Sequence, residues 1–129
     1  MGRTKQIGLF KRPGKRDREI VQASVERVQM DHLAHKQIGE LSGGQQRRVF
    51  IARALALETN LLLMDEPLAG LDIPSQEATL DILDSLRPDE VTVLLATHDL
   101  GVAAERFDRI MLLNRQIVAL GPASAVLTA

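Results

Sequence analysis

The sequence predicts an α/β fold, a parallel sheet flanked by helices. Three observations predict it. The apolar runs at 61–64 and 91–96 have the length of short buried strands. Each is followed by a helix-starting residue, Pro74 after the first and Asp99 after the second. From residue 61 onward the order is strand, helix, strand, helix, strand, which calls for parallel neighbours joined by right-handed crossovers.

The elements follow in order. Residues 1–16 read as irregular, broken by Gly2, Gly8, Pro13 and Gly14. Asp17 is expected to cap a helix over about 18–29, with Ile20, Val21, Val25 and Val28 on one side. Residues 30–41 form a polar connector. A second helix is expected from Ser42 to about Leu57, its apolar face made by Ile51 with Leu55 and Ala52 with Ala56. The strand at 61–64 must stop before Pro67, which cannot donate to a ladder. A helix from about Pro74 to Leu86 leads to the strand at 91–96, and a short helix capped by Asp99 ends near Phe107. Strands at 109–113 and 116–120 are separated by Asn114-Arg115, a hairpin turn, and a last short helix starts at Pro122.

A chain of 129 residues, 45% apolar and 26% charged, suits one soluble globular domain. It has no cysteine, so neither a disulfide framework nor a thiolate zinc site can form, in keeping with a reducing cytoplasm. No apolar run approaches the ~20 residues of a membrane-spanning helix, and the N-terminus has no signal-peptide pattern. A link to a membrane is therefore expected to run through a partner. Net charge is −1 but uneven, with nine Lys or Arg against four Asp or Glu in residues 1–36. Seven of those cations (Arg3, Lys5, Lys11, Arg12, Lys15, Arg16, Arg18) lie within 1–18. On charge alone this is a solvated basic arm, with a surface meeting lipid headgroups or a membrane protein as the sharper reading. Three Phe and no Trp or Tyr leave little for base stacking, which argues against nucleic acid.

Three motifs carry chemistry. In Leu41-Ser42-Gly43-Gly44-Gln45-Gln46-Arg47-Arg48, Ser42 and Gln45 make an ordinary capping box. The glycines are not explained by it, since each costs up to ~1 kcal/mol in a helix relative to Ala. Arg47 and Arg48 are at the unfavourable end of the helix dipole. Both features suit an anion docked on the helix N-terminus. In Leu61-Leu62-Leu63-Met64-Asp65-Glu66-Pro67, two carboxylates end a strand, where open α/β sheets bind ligands. One carboxylate can serve Mg²⁺ and the other can accept a proton from an attacking water. Read alone, the pair is equally a polar turn before proline. Thr97-His98-Asp99 ends the next parallel strand and places a histidine on the same sheet edge. There it can hydrogen-bond a terminal phosphate or fix the attacking water.

Taken together, LSGGQQRR, LLLMDEP, Ala69-Gly70-Leu71-Asp72 and Thr97-His98, in this order and at these separations, resemble the ATPase subunits of ABC transporters over roughly residues 38–100. The resemblance implies that Ser42, Gly43 and Gly44, with Gln45, form the signature loop that contacts the γ-phosphate of ATP held by the partner subunit. It implies Asp65 as the Walker B aspartate serving Mg²⁺, Glu66 as general base and His98 as switch histidine. Asp72 falls in the D-loop that crosses the dimer interface. Ala69 stands where Ser is frequent in the family. The implied partners are a second ATPase subunit, head to tail, and membrane permease subunits, at the inner face of the cell membrane. Residues 1–41 would be part of the helical subdomain with its basic segment, and 42–129 the C-terminal part of the ATPase core.

A P-loop needs Gly, four residues, Gly, Lys, then Ser or Thr. The nearest stretch, Gly8 to Arg16, has five intervening residues and Arg16 in place of the hydroxyl. The resemblance implies a partial P-loop NTPase fold without the Walker A strand, beginning inside the helical subdomain. Each charge-assisted hydrogen bond to phosphate contributes about 1.5–3 kcal/mol, so the chain alone is expected to bind ATP weakly or not at all. In the family the P-loop strand lies between those resembling 91–96 and 109–113. Its loss would leave two edges unpaired or force those strands to meet.

The stretch 7–14, Asp17-Arg18-Glu19-Ile20-Val21, Gln37-Ile38-Gly39-Glu40, Phe107-Asp108-Arg109 and Leu112-Leu113-Asn114-Arg115 resembles the manganese, zinc or iron-chelate branch of bacterial importers. Two other readings stand beside an importer ATPase. One is a non-catalytic interaction module that keeps the signature and dimer surface. The other is a soluble ABC ATPase outside transport.

Overall fold

The computed structural model describes residues 14–128. The N-terminal irregular stretch, the near-P-loop glycine Gly8 and the cations Arg3, Lys5, Lys11 and Arg12 lie outside the described residues.

Helix α1 (Lys15–Arg27) starts earlier than the sequence predicts. Its cap position is Gly14, and Asp17 acts from inside the first turn, its Oδ2 accepting the Gly14 N–H at 3.1 Å. A carboxylate three residues into a helix can reach back to the cap amide, so Asp17 supports the start without being the cap. Two short 3₁₀ turns, Asp31–Leu33 and Ile38–Glu40, carry the connector to α2 (Gly43–Ala56), capped by Ser42 as predicted. Strand β1 (Leu61–Asp65), α3 (Ile73–Asp84), a 3₁₀ turn at Arg87–Asp89, β2 (Thr92–Ala96) and α4 (Leu100–Arg106) follow. A hairpin of β3 (Ile110–Asn114) and β4 (Gln116–Gly121) and a last turn, α5 (Ala123–Val126), end the chain.

β1 and β2 pair in parallel from Leu61 opposite Thr92 to Asp65 opposite Ala96. One face of this sheet, with Leu62 at its centre, closes the core against α1, α2 and α3. That core contains Val28, Met30, Leu41, Ile51, Ala52, Ile82, Leu83 and Leu86, and Val28 and Ile51 are fully buried. Burying a side chain of this size contributes about 1.5–3 kcal/mol. The opposite face is open: Leu63 is 65% and Leu94 57% exposed.

β3 does not join β2, where the alternating order alone would put it; it pairs antiparallel with β4 in a separate two-stranded sheet, the hairpin expected at Asn114-Arg115. The reason is local. Arg115, at φ 61°, closes a tight turn that gives β3 an immediate partner. Between β2 and the hairpin runs a groove of about 580 Å³, lined by Val91, Val93, Leu94, Met111 and Leu120. Of the two outcomes expected for these strands, the structure takes the first: they stay apart.

Two arginines fasten α4 to the body. Arg106, 22% exposed, bonds Asp81 and Asp84 of α3 at 2.7 and 2.9 Å and Glu77 at 2.9 Å. Arg87 holds both carboxylate oxygens of Asp108 at 2.6 Å. Both fasten the C-terminal end of the segment that follows His98.

Candidate functional site

The two parallel strands end at the same level, and their ends bring the predicted carboxylates and histidine together. Glu66 continues the pairing by one residue, its N–H donating to the Ala96 carbonyl at 2.9 Å. Its φ is 46°, a left-handed conformation uncommon for a non-glycine residue. The chain turns sharply there, and Pro67 and Leu68 bury themselves behind it. Two residues past β2, His98 meets this turn: its Nδ1 is 2.9 Å from Glu66 Oε1. An ionised carboxylate only accepts, so Nδ1 carries the proton. The bond to Glu66 and the carboxylate's charge raise the His98 pKa above the ordinary value, with a smaller contribution from Asp99. The His98 ring is otherwise open to solvent.

Asp65 ends β1 as an exposed carboxylate. Among the described residues no group of three or more His, Cys, Asp or Glu could enclose a metal ion. Mg²⁺ takes one or two protein carboxylates and fills its remaining positions with water and phosphate oxygens, and an exposed carboxylate such as Asp65 is compatible with that chemistry.

The second predicted group assembles at the adjoining starts of α2 and α3. Ser42 caps α2 reciprocally: its Oγ accepts the Gln45 N–H at 3.2 Å, and its own N–H donates to Gln45 Oε1 at 3.0 Å. Ser42 and Gly43 are exposed, whereas Gly44 is buried. The Gly43 position lies beside Leu71, where an added Cβ would meet Leu71 Cδ2 at 3.5 Å. Asp72 caps α3, its Oδ1 accepting the Ser75 N–H at 2.9 Å. Those bonds to Ser75 draw the Asp72 pKa below the usual carboxylate value. The signature turn and the Asp72 loop therefore form one surface.

Arg47 and Arg48 are half-buried, and Arg48 Nε is enclosed with no hydrogen-bond partner among the described residues. At least one of the two predicted anion-attracting cations thus has part of its guanidinium turned into the protein.

Sequence reasoning missed two glutamines that shape these loops. Gln46 Nε2 donates to the carbonyls of Ile38 at 3.1 Å and Leu41 at 3.2 Å. Gln76 Nε2 donates to those of Leu68 at 3.4 Å and Leu71 at 3.1 Å. Each glutamine is four residues past its helix cap and grips the carbonyls four and one residues before that cap. The repeated spacing, Ser42 to Gln46 and Asp72 to Gln76, was the available signal.

The structure thus presents an α/β domain with an acidic pair and a histidine at adjoining parallel strand ends, and a glycine-rich helix start packed on the loop ending at Asp72. Comparison with known proteins identifies its class. The chain belongs to the ABC transporter family, whose model matches residues 3–69. It is 45% identical over 128 residues to the manganese transport system ATP-binding protein MntB of Halalkalibacterium halodurans, covering 99% of this chain and 51% of that protein. It is 43% identical to the chelated iron transport system membrane protein YfeB of Yersinia pestis, covering 99% of this chain and 43% of that protein. Among solved structures, a metal-chelate type ABC transporter in an inward-facing conformation superposes with a TM-score of 0.92 at 32% identity, over 99% of this chain and 51% of that one. The chain spans about half the length of the relatives it matches.

Proposed function

We propose that the chain supplies the base-bearing strand ends and the signature turn of the ATPase in an ABC importer for a metal ion or metal chelate. The observation that carries the reading is the Glu66–His98 pair on the edge shared with Asp65. In this reading Glu66 accepts the proton of the water that attacks the terminal phosphoryl of ATP, and His98 holds the carboxylate and the phosphoryl in place. Asp65 holds Mg²⁺, which when bound neutralises charge on the phosphate oxygens. Ser42 and Gly43 face a nucleotide gripped by a second ATPase subunit arranged head to tail, and Asp72 meets that subunit beside them. Residues 1–41 serve as part of the helical subdomain, with its basic segment, and 42–129 as the C-terminal part of the ATPase core. The importer assignment rests on the manganese and chelated-iron systems among the relatives.

No helix among the described residues is long and apolar enough to cross a membrane. In this reading the chain reaches the inner face of the cell membrane through permease subunits. An apolar groove of about 500 Å³ between α1 and α2, lined by Val21, Val25, Leu33, Ile38 and Val49, suits such a contact.

A second reading is a non-catalytic module that lends only its signature and dimer surface. Glu66→Gln separates the two. In an assembly with a P-loop-bearing ATPase partner whose own general base has been removed, a catalytic role predicts a loss of hydrolysis of about 10²–10⁴-fold, the usual contribution of a general base. An unchanged rate supports the module and refutes the catalytic role.

A further inference from the structure

Helices α2 and α3 start side by side, with Gly44 packed against Ser75. A Cβ placed on Gly44 would lie 2.9 Å from Ser75 Cβ, 2.9 Å from Ser75 Oγ and 3.9 Å from Ser75 Cα. The hydroxyl could rotate away, but Ser75 Cβ is fixed to the α3 backbone and could not. At Gly43 the same construction gives only an ordinary contact of 3.5 Å, to the mobile end of Leu71. The fold thus demands glycine at 44 and not at 43.

Ser75 is itself held on two sides. Its N–H donates to Asp72 Oδ1 at 2.9 Å, and its carbonyl accepts the hydroxyl of Thr79, a fully buried residue, at 2.9 Å. The loops entering the two helices are clamped by Gln46 and Gln76. Both helix starts are therefore held by hydrogen bonds where they touch.

We propose that Ser75 is a positioning residue for the signature turn: Gly44 is glycine because Ser75 packs against it, and this contact registers residues 42–44 against the loop ending at Asp72. Direct exposure to a nucleotide then belongs to Ser42 and Gly43, the two members of the turn that reach the surface. The packing half of this inference stands on the geometry alone; the positioning half rests on the ATPase reading above.

The test uses the full chain as wild type, Gly44→Ala, Ser75→Gly, and two double variants. Amide hydrogen exchange at Gln45 and Gln46 reads the packing. Gly44→Ala is expected to speed it about tenfold or more, the effect of overpacking a tight contact. Gly44→Ala with Ser75→Gly is expected to return it to the level of Ser75→Gly alone. Gly44→Ala with Ser75→Ala keeps the offending Cβ and is expected to rescue nothing. A Ser75→Gly double variant that exchanges as fast as Gly44→Ala overturns the proposal. Where Gly44→Ala does not fold, a folded Ser75→Gly double variant supports it and an unfolded one overturns it. The kcat of ATP hydrolysis in an assembly with a P-loop-bearing partner reads the positioning. Recovery of kcat together with exchange supports the proposal. Recovery of exchange without kcat means that the ligand itself requires glycine at 44, which overturns it. An assembly inactive with the wild-type chain contradicts the ATPase reading instead, and exchange still decides the packing.

Discussion

His98 Nδ1 and Glu66 Oε1 are 2.9 Å apart, so the histidine at the end of one strand holds the carboxylate at the end of its parallel neighbour. Residues 32 positions apart in the chain meet because the register of β1 and β2 pairs Asp65 with Ala96. The backbone of Glu66, left-handed and bonded to Ala96, fixes the other side of the contact.

This pair makes pH a probe of the site. Binding Glu66 favours the imidazolium, so the folded-state pKa of His98 lies above the ordinary value of 6.5. Any stability the pair contributes is fully present below the unfolded-state pKa and is lost as pH rises through the raised folded-state value. Following the His98 ring by NMR should give a midpoint above that of an unhindered histidine, and Glu66→Gln should lower it. An identical midpoint in the two proteins would show that the contact does not form in solution.

Asp72 titrates in the opposite sense. Its bonds to Ser75 lower its folded-state pKa, so its capping contribution is present above the unfolded-state value and lost as pH falls through the depressed one. Asp72→Ala should lower Tm at neutral pH, and the difference from wild type should shrink on acidification. Asp72→Asn, which can still accept the Ser75 N–H, should keep most of the Tm. A Tm difference that is constant from neutral to acidic pH would contradict the capping role.

The glutamine clamps are testable in the same way. Only the amide nitrogen can donate to two carbonyls, so the orientation of Gln76 is fixed by its partners. Gln76→Ala should cost about 1 kcal/mol in urea unfolding, the net value of such bonds. It should also speed exchange at Leu71, whose N–H bonds the Leu68 carbonyl within the clamped loop. Unaltered exchange at Leu71 would mean that the loop holds its shape without the clamp.

Much of this was legible in the sequence, for identifiable reasons. Ser42 and Asp99 are capping residues with local partners and Pro74 suits a first helical turn, so α2, α3 and α4 begin within a residue of where the pattern puts them. Short apolar runs gave β1 and β2. Asp65, Glu66 and His98 follow from those strand ends, because parallel strands bring their carboxyl ends to one edge. The β3–β4 hairpin was also legible, because its turn at Asn114-Arg115 is local. What was not legible depends on contacts distant in the chain. Gly44 reads as an opening for an anion; its nearest constraint is Ser75, 31 positions later, and no local pattern could reveal that distance. The left-handed backbone of Glu66 is likewise set by the turn it must make.

The measurement that bears most directly on the account follows the backbone amides of Ser42, Gly43 and Gly44 by NMR. The chain is mixed with a P-loop-bearing ATPase partner whose general base has been removed, and ATP or ADP is added with Mg²⁺. The account predicts that the Ser42 and Gly43 amides shift with ATP and not with ADP, because only ATP carries the terminal phosphoryl they face. Amides unmoved by ATP in a complex that has formed, or moved equally by both nucleotides, would contradict it.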